Sequence, residues 1–125
     1  MDLPNVRVRI EYADQNDGFA ACLPATGRLM RPLVAGDDPR PWWVVALDQP
    51  LEYQLKVGEP YQFRLIRSGE LVIGTRERGR AIGGPEPTSV HILLPLRAEA
   101  TSGSQLRVPE FYQAAWGVCH REDAA

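Results

Sequence analysis

The sequence predicts an all-β domain, on three observations. Apolar and polar residues alternate in short runs, and the 11 Gly and 11 Pro break the chain at short intervals. Before residue 105 no window of 11 or more residues keeps the i, i+3, i+4 apolar spacing of an amphipathic helix. Short strands at this spacing bury one face each most economically by closing into a small barrel or a sandwich, either of which limits exposed edges.

The elements follow in order. In VRVRIEY, Val6, Val8, Ile10 and Tyr12 alternate with Arg7, Arg9 and Glu11, the period of two of a strand with one dry face. The cluster GDDPRP at 36–41 predicts a turn, and the β-branched and aromatic run WWVVALD after it predicts a second strand. YQFRLIRSGELVIGTRERG predicts a hairpin with Tyr61, Phe63 and Leu65 on one face, its turn near Ser68 and Gly69, and Leu71–Thr75 returning. TSVHILL at 88–94 is a further strand closed by Pro95, and TSGS at 101–104 a loop. The tail PEFYQAAWGVCHRE from Pro109 predicts a short helix, with Pro in its first turn and Tyr112, Trp116 and Cys119 on one face. The expected organisation is a single domain over 1–125, with a core at 6–94 and a C-terminal extension at 95–125 packed on it.

Length and composition agree with one globular domain: 125 residues, 44% hydrophobic and 24% charged. No apolar run approaches the ~18 residues of a membrane span, and MDLPNVRVRIEY lacks the apolar block of a secretory signal, so a cytoplasmic protein is expected. Cys22 and Cys119 stand far apart without a CxxC spacing, which predicts two buried, reduced thiols and no zinc site. The net charge of −2, with a pI near 5.7, argues against indiscriminate nucleic-acid binding. Five arginines nevertheless fall between Arg64 and Arg80 (Arg64, Arg67, Arg76, Arg78 and Arg80), against Glu70 and Glu77.

The densest part of that run is GTRERGRAIGG, from Gly74 to Gly84. It is not a nucleotide cradle: the chain has no G-x-x-x-x-G-K-[ST], Lys56 is its only lysine, and neither Asn5 nor Asn16 begins an N-K-x-D. No nucleotide and no other cofactor is expected. On the residues alone the stretch is a strand and turn punctuated by glycine where φ turns positive or strands approach closely.

The run LKVGEPYQFRLIRSGELVIGTRERGRAIGG resembles the end of the C-terminal β-barrel, the third domain, of translation elongation factor Tu. Arg76, Glu77, Gly79, Arg80, Ile82 and Gly83 fall on that family's R-E-G-G-R-T-V-G pattern, with Arg78 replacing the first glycine of the pair. Upstream, NDGFAACLPATGRLMRPLV is similar to its E-G-G-R-x-x-P followed by G-Y-R-P, with Asp17, Gly18, Gly27, Arg31 and Pro32 as equivalents at a longer spacing. The resemblance covers roughly 6–94 and implies a small closed antiparallel barrel standing alone, without the GTPase. In that family the barrel helps hold aminoacyl-tRNA and also meets protein partners. The resemblance therefore implies Arg31, Arg76, Arg80, Gly83 and Gly84 as binding positions, since guanidinium forks grip phosphate oxygens and glycine admits a backbone close to the chain; Arg78 joins them as a candidate from the arginine run itself.

Two other groups carry chemistry. Cys119 and His120 are adjacent, so on a strand or helix their side chains diverge, and no third group orients them; His91, between Val90 and Ile92, points from the polar face of its strand. No carboxylate pair is placed for acid–base work, and an enzyme is not expected. Trp42 and Trp43 must face opposite sides of their strand. One fills the barrel; the other is either covered by Phe111, Tyr112 or Trp116 of the tail or left as an aromatic anchor for a partner. The expected function is non-covalent binding of a protein partner; the alternatives are an RNA-binding module using the Arg64–Arg80 surface, and an enzyme whose site one sequence does not reveal.

Overall fold

The computed structural model describes residues 6–15, 23–36, 38–57, 60, 62–76 and 81–122. Arg78, Arg80, Asp17, Gly18, Cys22 and Tyr61 therefore lie outside the described residues. Six strands, β1 (Arg7–Gln15), β2 (Ala25–Ala35), β3 (Asp38–Val57), β4 (Gln62–Thr75), β5 (Thr88–Pro95) and β6 (Phe111–Arg121), close in chain order into a barrel in which every neighbouring pair is antiparallel. No helix among the described residues is long and apolar enough to cross a membrane.

The alternation read in β1 is what the barrel uses. Val8 and Ile10 are fully buried while Arg7 and Arg9 stay at the surface, paired with Asp48 and Glu11. Gly27 of β2 sits where its strand meets β3: a Cβ there would lie 2.3 Å from the Ala46 carbonyl oxygen, so no larger residue fits without moving backbone. Gly36, at φ +53°, turns the chain from β2 into β3, which starts at Asp38 inside the expected turn cluster.

WWVV is buried on both of its faces. Trp43 and Val45 point into the barrel beside Leu29, Leu71 and Ile73, whereas Trp42 and Val44 belong to a second cluster outside the wall. That outer cluster is roofed by the segment between β5 and β6, whose Ala100 and Leu106 pack on it together with Phe111. Two backbone bonds dock the roof on β2, Val34 N–H to the Ser104 carbonyl (2.9 Å) and Leu106 N–H to the Val34 carbonyl (2.8 Å).

Two expectations are corrected. The stretch expected as a hairpin at Ser68–Gly69 is one continuous strand, β4; the reversal lies earlier, where Val57 pairs with Gln62. Gly69 does not take a positive φ, and the Ser68 hydroxyl instead satisfies Glu70 locally, donating to its carbonyl (2.6 Å) and accepting its N–H (3.1 Å). Opposite this point the irregularity is on β3, where Leu47–Pro50 bulge between the pairs Ala46–Glu70 and Leu51–Ser68.

The tail expected as a helix is the sixth strand, preceded by a single 3-10 turn at Val108–Glu110. It pairs with β1 from Val8 to Gln15 and with β5 from Thr88 to Pro95, so it is a stave of the barrel and not an extension packed upon a 6–94 core. Two ladders that the tail completes outweigh the weak helical preference of its aromatic and β-branched residues. Cys119 faces the interior, while Trp116 and His120 face outward.

Candidate functional site

β3 and β4 outrun their other neighbours. β2 pairs with β3 only as far as Leu47, and β5 pairs with β4 only over Val72–Thr75, yet β3 and β4 stay paired down to Val57–Gln62. Leu51–Val57 and Gln62–Ser68 thus form a two-stranded arm. Such a ribbon is marginal by itself; here Tyr53 and Ile66, a cross-strand pair, are buried in the barrel core and hold the arm down, with the Tyr53 ring 6.3 Å from that of Tyr112.

The other face of the arm is different. Phe63 and Leu65, two residues apart, are 71% and 58% exposed, on the face that also carries Arg67. Covering either would be worth about 1.5–3 kcal/mol in apolar area removed from water. Among the described residues, the β4 edge turned away from β3 makes no backbone hydrogen bond between Gln62 and Gly69.

A cleft of about 420 Å³ runs along that edge, with Arg64–Glu70 on one side and Pro95–Arg97 and Thr101 on the other. Arg64 crosses it to donate to the Leu96 carbonyl (3.1 Å), and among the described residues that is its only partner. Arg67 pairs with Glu52 (2.6 Å), and Arg97 with Glu99 (3.2 Å). Among the described residues the one acid lining the cleft, Glu70, accepts the Thr101 hydroxyl at 2.6 Å.

A second feature lies at the opposite end of β4. The register aligns Trp42, Gly74, His91 and Trp116 across four strands on the outer face. His91 stacks on Trp42, ring centroids 6.1 Å apart; Arg40 stands 5.7 Å from the Trp42 ring, and Arg76 lies 4.4 Å over Trp116. Burial first, then the Arg76 and Arg40 charges, hold the His91 pKa below its ordinary value.

The sequence-predicted positions distribute unevenly over these features. Both indoles are buried, Trp42 to 8% and Trp43 to 6% exposure, so neither is an exposed aromatic anchor; Trp42 is the outward one, and Phe111 shares its cluster. Arg31 is spent on the Gly103 carbonyl of the roof. Gly83 takes φ +82° in the turn before β5, and a Cβ on Gly84 would lie 3.2 Å from the Ala81 carbonyl oxygen, so both have backbone reasons to be glycine. Arg76 is exposed on the aromatic row. Among the described arginines, Arg64 and Arg67 stand apart from Arg76: because β4 is a single strand, Arg67 and Arg76 are separated by about 30 Å of chain at the rise of an extended strand.

Phe63, Leu65 and the open edge were not singled out by sequence reasoning, because a hairpin at Ser68 would have given that edge a partner. The His91 row needed the register of four strands. Among the described residues no cluster of three His, Cys, Asp or Glu is arranged to hold a metal. Comparison with family models, with curated proteins and with solved structures finds no match to this chain.

Proposed function

We propose that this barrel is a non-enzymatic binding module that engages a protein partner through the β3–β4 arm. The observation that carries the reading is the exposure of Phe63 and Leu65 on an arm that projects past its neighbouring strands. A large apolar side chain exposed singly is ordinary, but two on one face beside an open strand edge mark an interaction surface. The proposal also takes the domain as kin to the third barrel of translation elongation factor Tu; the R-E-x-G-R-x-I-G spacing from Arg76 supports that, and a closed six-stranded antiparallel barrel is compatible with it. The reduced, buried thiol of Cys119 suits a cytoplasmic setting.

The test is affinity capture from the source cell with three baits: the natural chain, a Phe63→Ser and Leu65→Ser double variant, and an Arg76→Ala, Arg78→Ala, Arg80→Ala triple variant. The natural chain and the triple variant retain a common protein and the double variant loses it. Retention by the double variant would overturn the reading.

A second reading, RNA binding, is favoured by one observation: Arg76 laid on Trp116 beside His91, an arginine on an aromatic row of the kind that stacks bases and grips phosphates. Affinity for a structured RNA would then fall steeply with salt as counterions are released, and the arginine triple variant would flatten that slope.

A further inference from the structure

We infer that the partner binds by strand addition: an extended, acidic segment lies in the cleft beside β4 and pairs with the backbone of Gln62–Gly69. This rests on the protein-binding reading above and names the chemistry of its ligand.

The geometry supplies the three things strand addition needs. The first is an edge whose outward amides and carbonyls have no backbone partner among the described residues, and β4 provides it from Gln62 to Gly69 where β5 has ended at Pro95. Eight residues extend about 26 Å, enough for roughly four pairs of ladder bonds. The second is space, which the 420 Å³ cleft between this edge and Pro95–Arg97 gives. The third is apolar area for the incoming side chains, and Phe63 and Leu65 offer it on one face. Main-chain bonds give such complexes affinity, and side chains alternating along the strand give specificity.

Charge decides between occupants. The edge carries Arg64 and Arg67 and no acid from Gln62 to Gly69, and Arg97 faces it across the cleft. A second copy pairing through its own Gln62–Gly69 would bring two more arginines and no acid to this edge, adding like charge to like. An incoming strand with Asp or Glu opposite Arg64, and apolar residues on the other face against Phe63 and Leu65, meets that arginine favourably. It can also replace the Leu96 carbonyl as the partner of Arg64 with a charge-assisted bond.

The experiment uses the full chain, isotope-labelled, and two synthetic ten-residue peptides that alternate valine with glutamate or valine with lysine. The glutamate peptide is expected to bind saturably, at least tenfold more tightly than the lysine peptide, and to slow hydrogen exchange at alternate amides of Gln62–Gly69. An Arg64→Glu and Arg67→Glu double variant, whose changes are at exposed positions, should keep its circular dichroism and reverse the preference. A glutamate peptide N-methylated at every second residue on its pairing edge should lose binding. Failure of both peptides to bind, protection elsewhere than β4, or insensitivity to N-methylation would overturn strand addition. Concentration-dependent dimerisation through this edge would overturn it too, assigning the cleft to a second copy. These failures are separable from failure of the protein-binding reading: a captured partner that is still lost on Phe63→Ser and Leu65→Ser would leave that reading standing without the strand.

Discussion

The indole of Trp42 lies across Gly74, its cross-strand partner, so closely that a Cβ on Gly74 would sit 2.4 Å from Cε3 of the ring. The glycine is what lets the indole lie flat on the wall and reach His91 on the next strand, where the two rings stack. Gly74→Ala should therefore destabilise the protein by about 1–3 kcal/mol through overpacking. In a Trp42→Ala background the same change should be near neutral or favourable, because the clash is gone and alanine suits a strand better than glycine. A urea-denaturation double-mutant cycle measures the difference; equal costs in both backgrounds would separate the residues.

His91 gives the protein a pH dependence with a definite sign. Its pKa is lowered from 6.5 in the folded state by burial and by Arg76 and Arg40, so the neutral ring is the form that folding favours. The associated stability is complete above 6.5, the unfolded value, and is lost as pH falls through the lower folded value. The urea midpoint should drop over that window, and His91→Phe should remove the slope while keeping a ring against Trp42. Arg76→Ala should move the His91 titration upward by NMR. Asp48 acts in a separate window: hydrogen bonds from Arg7 and Thr26 lower it to about 2, so its contribution is lost only as pH falls from 3.8 through that value.

How much of this was legible depended on whether neighbours in sequence or neighbours in space decided it. β1 was legible because Val8 and Ile10 alternate with arginines that have nowhere to go but solvent. β5 was legible as a β-branched run ended by a proline that cannot donate to a ladder. β4 was misread at Ser68–Gly69, residues that form a turn or an extended link equally well, and the bulge of Leu47–Pro50 on the facing strand chose the latter. β6 was misread because Tyr112, Trp116 and Cys119 satisfy helical spacing too; only its pairing with two distant strands decides between them. The open edge was illegible in β4 itself, since it exists because β5 stops at Pro95 and the chain leaves there to roof Trp42.

Burial of Cys119 should make it chemically silent. Its pKa is pushed up to about 12 by desolvation alone, and the thiolate is the reactive form. In a Cys22→Ser variant, which isolates this thiol, a disulfide reagent at neutral pH should react only at the rate of unfolding and fast in denaturant. Rapid native-state labelling would place Cys119 at the surface.

Removal of residues 95–125, the stretch the sequence assigns to an appendage, should abolish folding. It strips β6 from between β1 and β5, so β1 loses its pairs from Val8 to Gln15 and β5 its pairs from Thr88 to Leu94, opening two long edges in what was a closed wall. It also takes Ala100, Leu106 and Phe111 off the outer cluster and uncovers Leu33, Trp42 and Val44. Each large side chain exposed costs about 1.5–3 kcal/mol, so the handful involved equals the roughly 5–15 kcal/mol that holds a domain together. The shortened chain should lack a cooperative urea transition, bind a hydrophobic dye and aggregate. A soluble 1–94 fragment with native-like circular dichroism and cooperative unfolding would mean that β6 is dispensable and that the barrel can close on five strands.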